Sequence, residues 1–270
     1  LLEILLDEFM FGSLWNGGIF LFVAFAAIIY LFLLPHDDRH SIWKTLSFSL
    51  GLIAVFASIG SPLNIIGRIQ FSTHIIQVVL LLFVAPPLLV YGFKQKSIDL
   101  VKDKLPVVKR FINFVTKPLF AIILFYGLVY VYHISFVFDF ARMDLFLNYF
   151  YLLALFVAAI LFWVPIISTN YSYKQRLIYT SSNILLLIPL SLIWLLVDKS
   201  LYTTYTDMTS FIAAMELCLP AGETLPTEYY SMLLPFDPVA EQVKGGLILL
   251  VAQLAIFSIA LLLLNFTKKK

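Results

Sequence analysis

The chain has 270 residues, of which 61% are hydrophobic and only 13% charged. Soluble domains carry about 25% charged residues, so this composition excludes a water-soluble globule and points to lipid as the solvent. A net charge of +2 without basic, aromatic-interleaved runs argues against a nucleic-acid partner, and the single cysteine, Cys218, excludes an intrachain disulfide or a Cys-pair metal motif.

Leu1 to Met10 carries Glu3, Asp7 and Glu8 with no Lys or Arg, the wrong charge for the start of a signal peptide. Its apolar spacing (Leu2, Leu5, Leu6, Phe9) predicts a short interfacial helix. The chain opens on Leu rather than Met, which leads us to expect a longer or processed native N-terminus.

A membrane-spanning helix needs roughly 20 apolar residues, and seven windows qualify: 16–34, 42–60, 73–93, 118–136, 145–167, 177–197 and 245–266. Continuous apolar runs rather than alternating ones exclude a β-barrel. If the seven alternate, Arg39, Lys44, Lys94, Lys96, Lys102, Lys104, Lys109, Arg110, Lys117, Lys174, Arg176 and the terminal Lys268 to Lys270 fall on one side. The other side holds Arg68, Arg142, Lys199, Lys244 and most of the acids. Basic loops stay in the cytoplasm. The predicted fold is therefore all-α: one seven-helix transmembrane domain over 1–270, N-terminus outside, C-terminus inside, with a long outer loop at 198–244. No internal repeat suggests an inverted-repeat transporter.

Polar groups in lipid are expensive and mark candidate sites. His74 and Gln77, at i and i+3, share one face of the third window. His133 lies at the outer end of the fourth, at similar depth, and Asn148 and Asp198 flank the same level. A polar cluster in the outer leaflet follows, with His74 and His133 as candidate metal ligands. Gln77 and Asn148 support them, with Asp139, Glu241 and Gln242 as outer companions. The competing reading is that each histidine is only hydrogen-bonded between helices or snorkels to headgroups. Met215 and Cys218, with Met208 and Met232, form a soft-sulfur set that suits Cu(I) or equally fills an interfacial helix. His36 and His40 read as a solvated turn. Pro86-Pro87 and Pro189 predict bends. Gln253, Asn183 and Ser181-Ser182 are the few candidates for a polar path across the bilayer. No Ser/His/Asp order or carboxylate pair argues for an enzyme.

Three stretches together carry a resemblance. The first is Ser61-Pro62-Leu63, Phe71-Ser72-Thr73-His74-Ile75-Ile76-Gln77, Ala85-Pro86-Pro87-Leu88-Leu89 and Gly92. The second is Leu161-Phe162-Trp163-Val164-Pro165-Ile166. The third is Asp237-Pro238-Val239-Ala240-Glu241-Gln242-Val243-Lys244-Gly245-Gly246-Leu247, and Leu14-Trp15 fits before the first window. In order and spacing they resemble the bacterial CtaG-type cytochrome c oxidase assembly factor family. The resemblance implies a multi-pass protein of the bacterial cytoplasmic membrane. It also implies a non-enzymatic role in building a haem–copper terminal oxidase, by assisting copper insertion or by holding an oxidase subunit. The implied partners are the lipid bilayer, an oxidase subunit and other assembly factors. The chain departs from the family pattern at Val78 and Leu152, where histidines are expected. A membrane transporter for copper or a small solute, or a structural subunit of a membrane complex, are the alternatives.

Overall fold

The computed structural model describes residues 11–35, 40–168, 170–217, 219, 222, 224, 226, 228, 230 and 236–268. The expected helix at Leu1 to Met10 lies outside them, as do His36, Arg39, Cys218, Met232, Lys269 and Lys270. Among the described residues every regular element is helical. The helices that matter here are α1 (Gly17–Leu33), α2 (Ile42–Ile59), α3 (Leu63–Ile69) and α4 (Phe71–Gly92). They continue with α5 (Gln95–Lys104), α6 (Pro106–Val115), α7 (Pro118–Tyr132) and α8 (Ser135–Arg142). The last four are α9 (Leu145–Ile167), α10 (Tyr173–Leu196), α11 (Met208–Glu216) and α12 (Pro238–Lys268).

Side chains start these helices where backbone N–H groups would otherwise be orphaned. Asn16 accepts from Ile19 N at 3.1 Å and opens α1. Asp144 accepts from Leu147 N at 2.8 Å and opens α9. Ser172 and Gln175 form a reciprocal capping box on α10. Asp207 takes Ser210 N at 2.8 Å at the start of α11.

Five helices, α2, α4, α9, α10 and α12, are long and apolar enough to cross a membrane, and six spans result if α6 and α7 count as one bent span. α1, at 17 residues, is shorter. Two predicted segments differ from what is observed. The window 118–136 stops at Tyr132, because His133 and Ile134 turn the chain into the separate α8. The last helix begins at Pro238 rather than 245: Asp237 accepts from Val239 N and Ala240 N and starts it early, so the loop before it is shorter than 198–244.

α4 is the central helix, packed against α2, α9 and α12. Pro86 has no N–H, so it cannot bond Leu82 O four residues back. The helix widens into a π turn over Leu80–Val84, and the released Leu82 O accepts from Trp163 Nε1 at 3.0 Å. The bend predicted at Pro86-Pro87 is thus a widened turn clamped to α9. α7 is tied to α10 by two tyrosines: Tyr126 donates to Asn183 O at 2.9 Å and Tyr130 to Leu186 O at 2.7 Å.

The ends of the bundle are chemically distinct. At one end Asn16 N bonds Gly60 O at 3.0 Å and Asn16 Nδ2 bonds Tyr149 at 3.1 Å, joining α1, α2 and α9. At the other, Lys94 donates to Leu34 O at 3.3 Å and Tyr171 to Thr116 O at 3.1 Å, and Tyr173 bonds Asn265. These ties gather the basic residues 94–117 and 174–176 at one end, opposite His74 and His133. His40 is not purely solvated: its Nε2 meets Tyr30 at 2.8 Å, and Tyr30 donates to Gly92 O at 2.7 Å.

Gly92 is where α4 touches α2: a Cβ there would lie 2.5 Å from both Lys44 O and Phe48 N. Both obstacles are backbone and cannot rotate away. Gly92→Ala is expected to destabilise by more than about 2 kcal/mol. Gly127→Ala, on an open helix face with nothing within 4 Å, is expected to stabilise by up to about 1 kcal/mol. Thermal midpoints of the two variants in one detergent check the contrast, and equal shifts would contradict it.

Candidate functional site: a buried histidine pair

α4 begins one residue after α3 ends, so His74 sits in its first turn, pressed against the α3 backbone. His133 is the residue after α7 and closes it. The two rings lie 6.1 Å apart between centroids, and both residues are buried. Phe71, Phe138, Trp194 and Tyr202 pack around them, with Trp194 5.1 Å from the His133 ring and Phe138 5.2 Å from that of His74.

Hydrogen bonds settle which nitrogen of each ring carries a lone pair. Gln77 Nε2 donates to Ser58 O at 3.0 Å and to Asn64 Oδ1 at 2.9 Å. Both amide protons are thereby used, and Oε1 is left facing His74 Nδ1 at 3.1 Å. His74 Nδ1 must donate, so its Nε2 carries the lone pair. His133 Nδ1 faces Val129 O at 2.8 Å; a carbonyl only accepts, so Nε2 is again the lone-pair nitrogen. Neither Nε2 finds a hydrogen-bond partner among the described residues. The Tyr132 hydroxyl and both polar atoms of Asn148 are likewise buried and unpartnered there. Tyr132 lies 4.9 Å from the His133 ring and 6.0 Å from that of His74.

The other predicted companions serve the loop instead. Asp139 Oδ1 accepts from Thr204 N and Oγ1 at 3.0 and 2.6 Å, and its Oδ2 accepts from Thr203 N and Oγ1 at 3.0 and 2.9 Å. Glu241 bonds Ser72 and pairs with Lys244 at 2.7 Å. Gln242 accepts from Leu201 N at 2.9 Å. Asp139 and Gln242 fasten residues 201–204 over the histidines, while Glu241 ties α12 to the start of α4. Tyr202 completes the lid: it donates to His133 O at 3.1 Å and accepts from Trp194 Nε1 at 3.0 Å.

Sequence reasoning missed Asn64, Ser58 and Tyr202, and it read Arg68 and Arg142 as loop charges. Both arginines are buried. Arg68 donates to Arg142 O at 3.0 Å and Ala214 O at 2.9 Å. Arg142 donates to Gly67 O and approaches Tyr205 at 3.4 Å. Burial pushes the Tyr205 phenol up to about 12, so it stays a donor, to Gly67 O at 2.8 Å. Met215 is packed with Phe211, Tyr230 and Leu14 in a small second core, which favours its filler reading. Ser181 and Ser182 are exposed while Asn183 and Gln253 are buried, so the four do not line one face. A cavity of about 410 Å³, lined by Asn16, Ser61, Asn64, Arg68 and Tyr149 among others, opens at the histidine end. Asn64 stands between it and Gln77.

Among the described residues, no three His, Cys, Asp or Glu side chains converge as a metal site. The site is a pair of imidazoles with fixed tautomers in an aromatic box.

The model of the cytochrome c oxidase caa3 assembly factor family matches residues 20–268. The chain belongs to this family. No curated protein and no solved structure matches it. Each of the three stretches that carried the sequence resemblance has a structural task in this assembly factor. Ser61-Pro62 turns α2 into α3, Trp163 clamps the proline turn of α4, and Asp237 starts α12 beneath Ser72.

Asp139 and the histidine pair can be separated experimentally. Asp139→Ala leaves the Thr203 and Thr204 N–H groups unanswered, and is expected to cost about 2–4 kcal/mol. Asp139→Asn keeps part of the bonding and should cost less. Thermal unfolding of the purified protein reads this. An Asp139→Ala midpoint equal to that of the parent would contradict the clamp.

Proposed function

We propose that this chain crosses the bacterial cytoplasmic membrane seven times, N-terminus outside, and assists assembly of a haem–copper oxidase by holding Cu(I) as cargo between His74 and His133. The segregation of basic residues at the end away from the histidines supports this orientation. The single observation that carries the copper reading is the pair of buried Nε2 lone pairs, each fixed by a hydrogen bond at the opposite nitrogen. Imidazole is a good copper ligand, and a ring held through its other nitrogen is the usual arrangement of ligating histidines.

The division of labour follows from the geometry. Gln77, locked by Ser58 O and Asn64, orients His74. Val129 O orients His133. Phe71, Phe138, Trp194 and Tyr202 exclude water. The cavity bounded by Asn64 gives a way in from outside the membrane. None of these groups is asked to make or break a covalent bond, which agrees with a non-catalytic role. The partner is an oxidase subunit, or another assembly factor, that approaches the outer face formed by α8, residues 201–205 and α11.

A second reading has its own observation. Val78 and Leu152, where the family pattern has histidines, are both buried in the apolar core. A member with a reduced ligand set serves as a holder of an oxidase subunit, with the aromatic lid as a structural feature.

Deleting the gene is expected to lower membrane haem-a absorbance and oxidase activity, with partial rescue by added copper. The His74→Ala/His133→Ala protein is expected to lose Cu(I) in competition with a chromogenic chelator. Lost oxidase without copper rescue, together with undiminished Cu(I) retention in the double variant, would reject the copper reading for the holder. An unchanged oxidase in the deletion strain would reject both.

A further inference from the structure

α6 has an apolar face that the bundle leaves uncovered. Val107, Phe111 and Phe114 follow the i, i+4, i+7 spacing of one helical stripe and are 78%, 64% and 51% exposed. Leu105, just before the helix, is 52% exposed. Val115, by contrast, is buried and ties the far edge of the helix to the bundle. The remaining arc carries Lys109, Arg110 and Asn113, all exposed.

Two further features surround this stripe. α6 is turned 65° from α7, so if α7 runs across the bilayer, α6 lies much closer to the membrane plane. Residues 94–117 also hold seven of the 18 basic residues of the chain, Lys94, Lys96, Lys102, Lys104, Lys109, Arg110 and Lys117, against two acids, Asp99 and Asp103. Lys117 stands 5.7 Å over the Phe114 ring, next to the exposed stripe.

We infer that α6 is an in-plane anchor whose Val107, Phe111 and Phe114 enter the headgroup boundary while the surrounding cations bind anionic phospholipid. An apolar stripe beside a cationic arc is the pattern of interfacial helices. The excess of positive charge selects an anionic lipid surface over a zwitterionic one, since each Lys or Arg near such a surface strengthens binding about fivefold. The same assignment explains why α6 and α7 are not one bent span: a span through α6 would take Lys109 and Arg110 into hydrocarbon. The anchor also fixes the basic end of α7, the helix whose other end presents His133. It does not depend on what the histidines bind.

The test uses the full chain reconstituted in vesicles of phosphatidylcholine with or without phosphatidylglycerol. In a Cys218→Ser background, Phe111→Cys and Asn113→Cys are labelled in turn with an environment-sensitive fluorophore. The label at 111 is expected to be quenched by brominated lipid and shielded from aqueous iodide, and the label at 113 to show the reverse. Spin-labelled phosphatidylglycerol is expected to associate with the protein more than its phosphatidylcholine counterpart. Lys109→Gln/Arg110→Gln, which removes two charges, should reduce that preference by about 25-fold and weaken its salt dependence. A label at 111 reached by iodide but not by lipid would overturn the anchor, and would point to a protein partner for the stripe. Equal association of the two lipids with the parent protein would overturn the anionic preference.

Discussion

A backbone carbonyl that loses its helical partner inside a bilayer has no water to turn to, and the architecture of this chain depends on how such carbonyls are answered. Pro86 deprives Leu82 O of its donor in the middle of the central helix, and Trp163 supplies one from α9. An unsatisfied group in hydrocarbon costs several kcal/mol, so this one bond fixes the depth and rotation of α9 against α4. Tyr126 and Tyr130 answer carbonyls of α10 near Pro189 from the α7 side. Tyr179 answers Phe162 O at 3.0 Å near Pro165. The carbonyl freed by Pro86 is thus an address for an aromatic donor, and the tyrosine bonds to carbonyls of α9 and α10 add further ties between helices.

The same accounting shapes the histidine end, but there it leaves a remainder. Ser58 donates to Gln77 O at 3.0 Å while Gln77 returns a proton to Ser58 O, so α2 and α4 are cross-linked by a reciprocal pair. Gln77 has one acceptor left, and His74 takes it. The carbonyl Val129 O takes the Nδ1 proton of His133. Among the described residues, the buried side-chain atoms without a hydrogen bond at this end include the two Nε2 atoms, the Tyr132 hydroxyl and both polar atoms of Asn148. Buried polar atoms are nearly always partnered. Four residues with such atoms, gathered at neighbouring helix ends, make this the candidate site.

Much of this was legible before any coordinates. Apolar windows located the five long helices, because hydropathy reports directly on the solvent a helix meets. The i, i+3 spacing put Gln77 beside His74, and antiparallel neighbours at equal depth put His133 opposite. What escaped depends on tertiary partners. Arg68 and Arg142 read as loop charges because a window average cannot see that the carbonyls of Gly67, Arg142 and Ala214 converge on them. Asp139, Glu241 and Gln242 read in the sequence as outer companions of the histidines, but the partners they bond were not readable. Four N–H and O–H donors from Thr203 and Thr204 meet Asp139 from a loop more than 60 residues away in sequence. The 118–136 window overshot because Ile134 and Phe136 are as apolar as a span, although both are exposed on the turn into α8 and its first residues.

Under the copper reading proposed above, the charge of the candidate ligand set bears on which ion it would suit. Two neutral imidazoles bring no negative charge to a buried site, and the Asp139 carboxylate is committed to Thr203 and Thr204. A divalent ion held there would keep its full charge in a low-dielectric box, where an uncompensated ion costs several kcal/mol. A monovalent soft ion carries half that charge and accepts two nitrogen donors. A set of two neutral ligands also holds its ion less firmly than a charged, four-ligand cage of the structural kind. Under the copper reading proposed above, weak holding would be an advantage, because cargo must leave. On that reading Val78 and Leu152, buried and apolar, would add no further ligand to be broken on release.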